Sequence, residues 1–203
     1  MAIQFYTNPH SRGQIARWAL HEAGADYEQK IIAYGPEMKS EAYRAINPMG
    51  KVPAIVDDGR VVTEVAAICA YLADRFPEAG LGPDDGNRAD YYRWLFFAAG
   101  PLESAISNHA MGFEPKEEQR RMAGYGSYDE AVAVLEQHLG GTDYVAGERF
   151  TMADVYVGSH VSWGIQFGTL PDRPALRAYS ERLVTRPAYR EAKAIDEKLG
   201  KQQ

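Results

Sequence analysis

Short apolar runs and one amphipathic pattern alternate along the first part of the chain. Residues 3–6 form an apolar run of strand length, and residues 7–10 (TNPH) have the composition of a turn. Ser11 then offers an N-cap hydroxyl. The apolar residues that follow recur at helical spacing and are Ile15, Ala16, Trp18, Ala19 and Leu20. Gly24 is a typical helix stop, and residues 27–34 alternate like a second strand. This pattern predicts a strand, a helix and a strand.

Two more strands and a helix are predicted after residue 50. Residues 52–56 form a short apolar run interrupted by Pro53. The pair Asp58-Gly59 is a strong hairpin signal before a strand at residues 60–62. Thr63 or Glu64 then opens a helix that continues through Leu72. A βαβ unit followed by ββα predicts an α/β domain.

The character of the chain changes after residues 77–87 (PEAGLGPDDGN), whose Pro, Gly and Asp content predicts a linker. Beyond Tyr91 the pattern is helical, with helices predicted over 128–139, 151–168 and 174–184 and a last one around or after Pro187. Residues 151–168 are apolar almost all round, which predicts a buried central helix. Its first residues, Thr151 to Asp154, form a capping box with Asp in place of Glu. The predicted domains are therefore an α/β domain at 1–76 and an all-α domain at 88–203.

Composition and charge exclude several classes of protein. The 203 residues are 45% hydrophobic and carry a net charge of -6 without a run of like charges, which argues against a nucleic-acid partner. No window reaches the roughly 20 apolar residues of a membrane span, so no membrane partner is expected. Cys69 is the only cysteine, and no signal-peptide pattern opens the sequence. Together these predict a cytoplasmic location. The five histidines lack metal-binding spacing, so no metal is expected.

Four short motifs occur in a fixed order along the chain. They are residues 5–12 (FYTNPHSR), 47–55 (NPMGKVPAI), 62–72 (VTEVAAICAYL) and 150–154 (FTMAD). In combination they resemble the glutathione transferase family, in its bacterial cytosolic form, over nearly the whole chain. The resemblance implies a thioredoxin-like glutathione-binding domain followed by a helical bundle that supplies a hydrophobic substrate site. It also implies a homodimer.

Pro53 is the centre of the second motif. Proline cannot donate to a sheet ladder, so its place in a strand run fits either an edge strand or a cis bond. The resemblance implies a cis-proline that turns the backbone N–H and C=O of Val52 toward the ligand. Those two groups would pair with the cysteinyl backbone of glutathione in the manner of an added strand.

Four further residues match positions that hold the two ends of glutathione. The resemblance implies that Glu64 takes the free amino group, while the alternative is an acid favoured by the helix dipole alone. Val65 stands where the family usually has serine, so only its backbone N–H could serve the neighbouring carboxylate. Lys39 and Lys51 match positions that hold the glycine carboxylate. The alternative interpretation is that both are solvated surface lysines without a ligand.

Ser11 and Tyr6 are the two candidates for the group that stabilises the glutathione thiolate. Ser11 matches the position where serine- and cysteine-type members carry the active hydroxyl or thiol, although it would also serve as an N-cap. A hydroxyl donor beside a helix N-terminus favours a charged sulfur. Tyr6 is the rival, because tyrosine-type members use a tyrosine near this point. Its alternative is packing in the sheet. We place Ser11 first.

The leading hypothesis is a glutathione S-transferase that activates glutathione for attack on small hydrophobic electrophiles, as in detoxification. His109 and Phe113 are the candidates for the substrate pocket, with core packing as their alternative. A glutathione-dependent peroxidase or disulfide reductase is a second hypothesis, although position 11 is not cysteine. A non-catalytic binding or scaffold protein of the same fold is the third. Fold alone does not decide among these.

Overall fold

The chain forms two compact units in the computed structural model, which describes residues 2–202. The first unit contains residues 2–82 and 185–202, and the second is Pro83–Val184. Met1 and Gln203, the outer bounds of the two predicted domains, lie outside the described residues. The change from one unit to the other after residue 82 falls inside the predicted linker at 77–87.

Helices and strands follow one another much as the sequence pattern predicts. In chain order they are β1 (Ile3–Thr7), α1 (Gly13–Glu22), β2 (Tyr27–Ile31), α2 (Glu41–Arg44), β3 (Ala54–Asp57), β4 (Arg60–Thr63), α3 (Val65–Arg75), α4 (Arg88–Phe97), α5 (Glu103–Ala110), α6 (Tyr128–Leu139), α7 (Met152–Phe167), α8 (Pro174–Val184) and α9 (Pro187–Gly200).

A four-stranded mixed sheet in the order β2-β1-β3-β4 is the centre of the first unit. β1 is parallel to β2 and antiparallel to β3, and β3 is antiparallel to β4. Phe5 and Ile55 are fully buried at the middle of the sheet. The βαβ-ββα arrangement confirms the predicted α/β fold class. β3 begins two residues later than predicted, since the residues before Ala54 belong to a loop.

The last helix groups with the first unit, whereas the sequence analysis assigned all of residues 88–203 to the helical domain. α9 packs along α1, where the ring of Tyr189 meets Trp18 edge-on at 5.0 Å. A buried ion pair joins Arg17 Nε to Asp196 Oδ1 at 3.0 Å in the same contact. The difference from the prediction has a physical reason, because the partners that bury α9 lie far away in the sequence.

The second unit is helical and confirms the predicted all-α character. α4 continues into α5 through a π-helical turn at residues 98–102, which contains Pro101. α6 and α8 have the predicted bounds. Every residue from Met152 to Val161 is buried, so α7 is the predicted central helix. Within residues 2–202, no helix combines the length and the apolar character that crossing a membrane requires.

Candidate functional site

The sheet of the first unit brings three motif-bearing segments to one of its ends. Ala54, at the start of β3, is paired with Tyr6 on one side and with Thr63 on the other. The end of β1, the start of β3 and the end of β4 therefore lie side by side. The loop that carries Ser11 follows β1, Pro53 precedes β3, and the residue after β4 is the predicted ligand of the amino group. Strand register alone gathers these groups.

Ser11 lies half-buried in the loop between β1 and α1, and its hydroxyl is bonded on both sides. Oγ donates to the main-chain carbonyl of Asn8 at 2.7 Å and accepts the N–H of Gly13 at 2.9 Å. α1 begins at Gly13, and Arg12 occupies the cap position without a capping side chain. The predicted N-cap is thus displaced by one residue. Rotation about the Cβ–Oγ bond can turn the hydroxyl hydrogen away from Asn8 while the bond from Gly13 is kept.

Asn8 and Gly13 fix the position of Ser11, and the sequence analysis gave neither of them a role. The Asn8 side chain is buried, donates to the carbonyl of Ile32 at 3.0 Å and accepts the N–H of His10 at 3.0 Å. A Cβ on Gly13 would lie 2.0 Å from Thr7 Oγ1, so the start of α1 approaches β1 too closely for any other residue. An asparagine in a turn, which commonly bonds its own backbone, was the available signal for Asn8.

The Tyr6 hydroxyl is engaged in a hydrogen bond on its own strand. The hydroxyl donates to Gln4 Oε1 at 2.9 Å, on the same strand and exposed. Its ring lies 5.8 Å from the ring of Tyr43 and packs against a buried cluster that includes Met38. The packing alternative is therefore observed for the ring, while the hydroxyl would have to leave Gln4 to reach a ligand.

The loop before β3 ends in a cis peptide bond between Val52 and Pro53, as the resemblance implies. Pro53 is buried and Val52 is half-buried. Tyr43 and Asn47 both donate to the carbonyl of Lys51, one residue before Val52. The sequence analysis missed these two donors, since neither has a spacing signal of its own.

The two lysines predicted as carboxylate ligands have different surroundings. Lys39 Nζ donates to the carbonyls of Met49 and Gly50, at 3.1 and 2.7 Å, and so fastens the loop before β3. An ammonium has three N–H groups, so these bonds leave one that they do not use. The side chain of Lys51 is exposed, and within residues 2–202 no hydrogen bond or ion pair of its Nζ is found.

Glu64 and Val65 form the junction between β4 and α3. Glu64 has φ 62° and ψ 117°, a conformation that residues with a Cβ rarely adopt. Its side chain is exposed and makes no capping hydrogen bond. Val65 is 7% exposed, so its side chain faces inward while its N–H lies in the first turn of α3. First-turn N–H groups lack intrahelical acceptors and favour an anion.

His109 and Phe113 lie in the second unit, at and just beyond the end of α5. The His109 ring stacks on Tyr128, with centroids 3.9 Å apart, and its Nδ1 pairs with Glu114. Phe113 is 54% exposed, so the core-packing alternative is wrong for it. Both side chains are accessible on the surface of the helical unit.

Cys69 is fully buried in α3, and burial raises the pKa of its thiol to about 12. A thiol of that pKa is not ionised at neutral pH and is a poor nucleophile. Among the residues that the structure describes, no group of three or more His, Cys, Asp and Glu side chains could hold a metal ion.

Comparison with known proteins agrees with this geometry. Residues 11–75 match the family described as "Glutathione S-transferase, N-terminal domain", and residues 93–187 match "Glutathione S-transferase, C-terminal domain". A relative named maleylacetoacetate isomerase, from Pseudomonas aeruginosa, is 32% identical over 87% of this chain and 88% of its own length. Glutathione S-transferase F13 of Arabidopsis thaliana is 29% identical over 93% of this chain and 94% of its own.

A solved structure of a sphingomonad glutathione S-transferase in complex with glutathione is also similar. It superposes with a TM-score of 0.77 at 30% identity, covering 96% of this chain and 98% of the other. The two family matches together span most of the sequence, in the order in which the two units occur. The chain therefore belongs to the glutathione S-transferase family.

Proposed function

We propose that the protein is a glutathione transferase that ionises the thiol of glutathione and transfers its sulfur to a small hydrophobic electrophile. The observation that carries the proposal is the meeting of three segments at one end of the sheet. These are the Ser11 loop, the Val52-Pro53 bond and the Glu64-Val65 junction. Each supplies a group suited to one part of the tripeptide.

The backbone and charged groups of this end of the sheet would hold glutathione along its length. Val52 would pair with the cysteinyl backbone as an added strand does. Glu64 would take the free amino group, and the N–H of Val65 would serve the carboxylate beside it. The third N–H of Lys39 and the exposed ammonium of Lys51 would attract the glycine carboxylate.

Ser11 would stabilise the thiolate. A free thiol has a pKa of about 8.5, so only a small fraction is ionised at neutral pH. Lowering that pKa by about two units requires roughly 2.7 kcal/mol of preference for the charged sulfur. A charge-assisted hydrogen bond from Ser11 Oγ together with the N-terminus of α1 supplies energy of that order. Because Oγ keeps its bond from Gly13 while its hydrogen turns, Ser11 needs less rearrangement than Tyr6.

An ultraviolet pH titration of the thiolate band of bound glutathione tests this assignment. We expect bound glutathione to ionise well below the free thiol in the wild type and in Tyr6→Phe, and near the free value in Ser11→Ala. A shift that persists in Ser11→Ala and disappears in Tyr6→Phe would transfer the role to Tyr6. If the wild-type protein does not bind glutathione, the scaffold hypothesis replaces the enzyme.

Glutathione-dependent isomerisation is a second candidate, favoured by the similarity to the Pseudomonas aeruginosa protein named maleylacetoacetate isomerase. A thiolate that adds to an activated double bond and then leaves returns glutathione unchanged, whereas transfer consumes it. Turnover of an electrophilic alkene with substoichiometric glutathione separates the two activities. A disulfide reductase or peroxidase would have to use the thiol of glutathione alone, because the buried Cys69 is not a usable thiol.

We expect the enzyme to be a cytoplasmic homodimer, with His109 and Phe113 contributing to the electrophile site. The stacked pair Tyr92 and Phe96 on α4, 38% and 66% exposed, offers apolar surface that a second copy could cover. The exposed ring of Phe113 supports a role in binding an apolar substrate rather than in the core.

A further inference from the structure

Two buried side chains converge on a single carbonyl in the loop before β3. Tyr43 Oη and Asn47 Nδ2 each donate to the main-chain oxygen of Lys51, both at 2.7 Å. Both donors are 4% exposed. The carbonyl is thus directed into the interior of the first unit by two short hydrogen bonds.

Each donor is itself held in one orientation. Asn47 Oδ1 accepts the N–H of Met49 at 3.1 Å, which fixes the amide so that Nδ2 faces Lys51. The ring of Tyr43 packs on Tyr6, and burial raises the pKa of Tyr43 to about 12. Its hydroxyl therefore stays a donor throughout the pH range in which the protein would work.

The direction of the Lys51 carbonyl decides the direction of the next N–H. The peptide bond between Lys51 and Val52 is trans, and in a trans peptide the C=O and the N–H point to opposite sides of the same plane. Because the carbonyl points inward at Tyr43 and Asn47, the N–H of Val52 points outward. Within residues 2–202 no acceptor for this N–H is found.

We propose that Tyr43 and Asn47 are positioning residues that orient the N–H of Val52 for pairing with the extended backbone of glutathione. The inference rests on the proposed function, since it concerns the same ligand. Both side chains donate to the Lys51 carbonyl and neither bonds to Ser11, so the two residues should act on affinity and not on ionisation. Their effect passes through one peptide plane, from the Lys51 oxygen to the Val52 nitrogen.

Calorimetric titration of glutathione and of S-hexylglutathione into Tyr43→Phe and Asn47→Asp tests the inference. We expect the dissociation constant to rise about fivefold in Tyr43→Phe, as for one lost hydrogen bond. A larger rise is expected in Asn47→Asp, which turns a donor into a second acceptor. The two ligands should lose affinity equally, because they share the backbone and differ at the sulfur. The thiolate titration of bound glutathione should be unchanged.

Tyr71→Phe is the matched control. Tyr71 donates to Asp57 Oδ2 at 2.8 Å, at the opposite end of β3 from Pro53, so its loss should leave both affinities as in the wild type. Amide exchange of Val52 gives a direct readout, which in the wild type should slow when glutathione binds. It should slow less in Tyr43→Phe.

Three results would overturn the inference. One is wild-type affinity in both variants, and another is an equal loss in Tyr71→Phe, which would indicate a general effect on stability. The third is a changed thiol pKa, which would place the residues at the sulfur. If the wild type binds glutathione but the variants give one of these three results, the inference is wrong and the proposed function still stands. If the wild type does not bind, the proposed function fails and takes the inference with it.

Discussion

At the scale of single residues, Glu64 has a backbone conformation that glycine adopts more readily than residues with a Cβ. Its φ of 62° with ψ of 117° lies outside the regions open to residues with a Cβ, and such residues cost about 1–3 kcal/mol. A glycine would avoid this strain, so the Glu64 side chain is present at a cost in stability. Asp58, in the hairpin turn between β3 and β4, is the other non-glycine residue with a positive φ, 48°, among those described.

We expect Glu64→Gly to separate stability from binding. Relief of the strain, reduced by the extra entropy of glycine in the unfolded chain, should raise the free energy of unfolding by about 1 kcal/mol. Loss of the carboxylate should weaken glutathione at least tenfold. Urea unfolding and calorimetric titration measure the two effects.

Asp58→Gly provides the control, because it replaces the other described non-glycine residue of positive φ, which lies in a hairpin turn that favours aspartate. The Asp58→Gly variant should not gain stability in this way and should bind glutathione as the wild type does. Unchanged affinity in Glu64→Gly would contradict the assigned role of the carboxylate.

At the scale of elements, the start of α7 shows how one buried carboxylate can organise a helix. Asp154 accepts from the N–H of Thr151 at 2.8 Å, from the N–H of Val145 at 2.7 Å and from the hydroxyl of Tyr179 at 2.8 Å. The capping box predicted from the sequence is present. Its extension to Val145 and Tyr179 ties the preceding loop and α8 to the same carboxylate.

Asp154→Ala should therefore lower the free energy of unfolding much more than the loss of an ordinary helix cap does. We expect a loss of about 3–5 kcal/mol in the free energy of unfolding, since several buried donors would be left without an acceptor. Ser127→Ala at the start of α6, whose exposed cap accepts one N–H from Glu130, should cost about 1 kcal/mol. Urea unfolding followed by circular dichroism compares them. Equal losses would show that burial of the cap does not matter.

At the scale of the whole molecule, the last helix belongs to the first unit and is joined to α1 by the ion pair between Arg17 and Asp196. Both side chains are almost completely buried, and Arg17 also donates to Tyr27 Oη at 2.9 Å and Gln29 Oε1 at 3.0 Å. Burial raises the pKa of Asp196 to about 6, although the positive charge of Arg17 lowers it. Desolvation is thus the larger of the two effects.

The raised pKa predicts how stability depends on pH. A carboxyl that holds its proton more tightly in the folded state than in the unfolded state stabilises the fold below a pH of about 4. That contribution disappears as the pH rises to about 6, and it corresponds to roughly 3 kcal/mol for a shift of about two units. The free energy of unfolding attributable to Asp196 should fall through this window and stay level above it.

Asp196→Asn should remove this pH dependence, because asparagine does not titrate. At pH 7 it should leave the free energy of unfolding at or above the wild-type value, because the raised pKa means that a neutral side chain suits the folded state better than the charged carboxylate. Glu197→Gln, an exposed change on the same helix, is the control and should leave the pH profile as in the wild type. An Asp196→Asn profile parallel to that of the wild type between pH 4 and 6 would contradict the prediction.

Local sequence determined most of the strands and helices, although α2 was not predicted and the bounds of α4 and α5 were not given. Apolar spacing depends only on neighbours along the chain, so α6, α8 and the buried α7 were predicted with their bounds nearly correct. The capping box at Asp154 and the order of the four motifs were likewise visible. These features rest on interactions within a few residues, which a linear pattern records.

Only the tertiary structure decided what lies far apart in the sequence. Arginine side chains are mostly exposed, yet Arg17 is buried and paired with Asp196 of α9, a helix that groups with the first unit although it lies at the other end of the sequence. Tyr43 and Asn47 gained their role because the loop before β3 folds back over them. Periodicity cannot record such contacts, since a buried charge or donor depends on its partner's position in space and not on spacing along the chain.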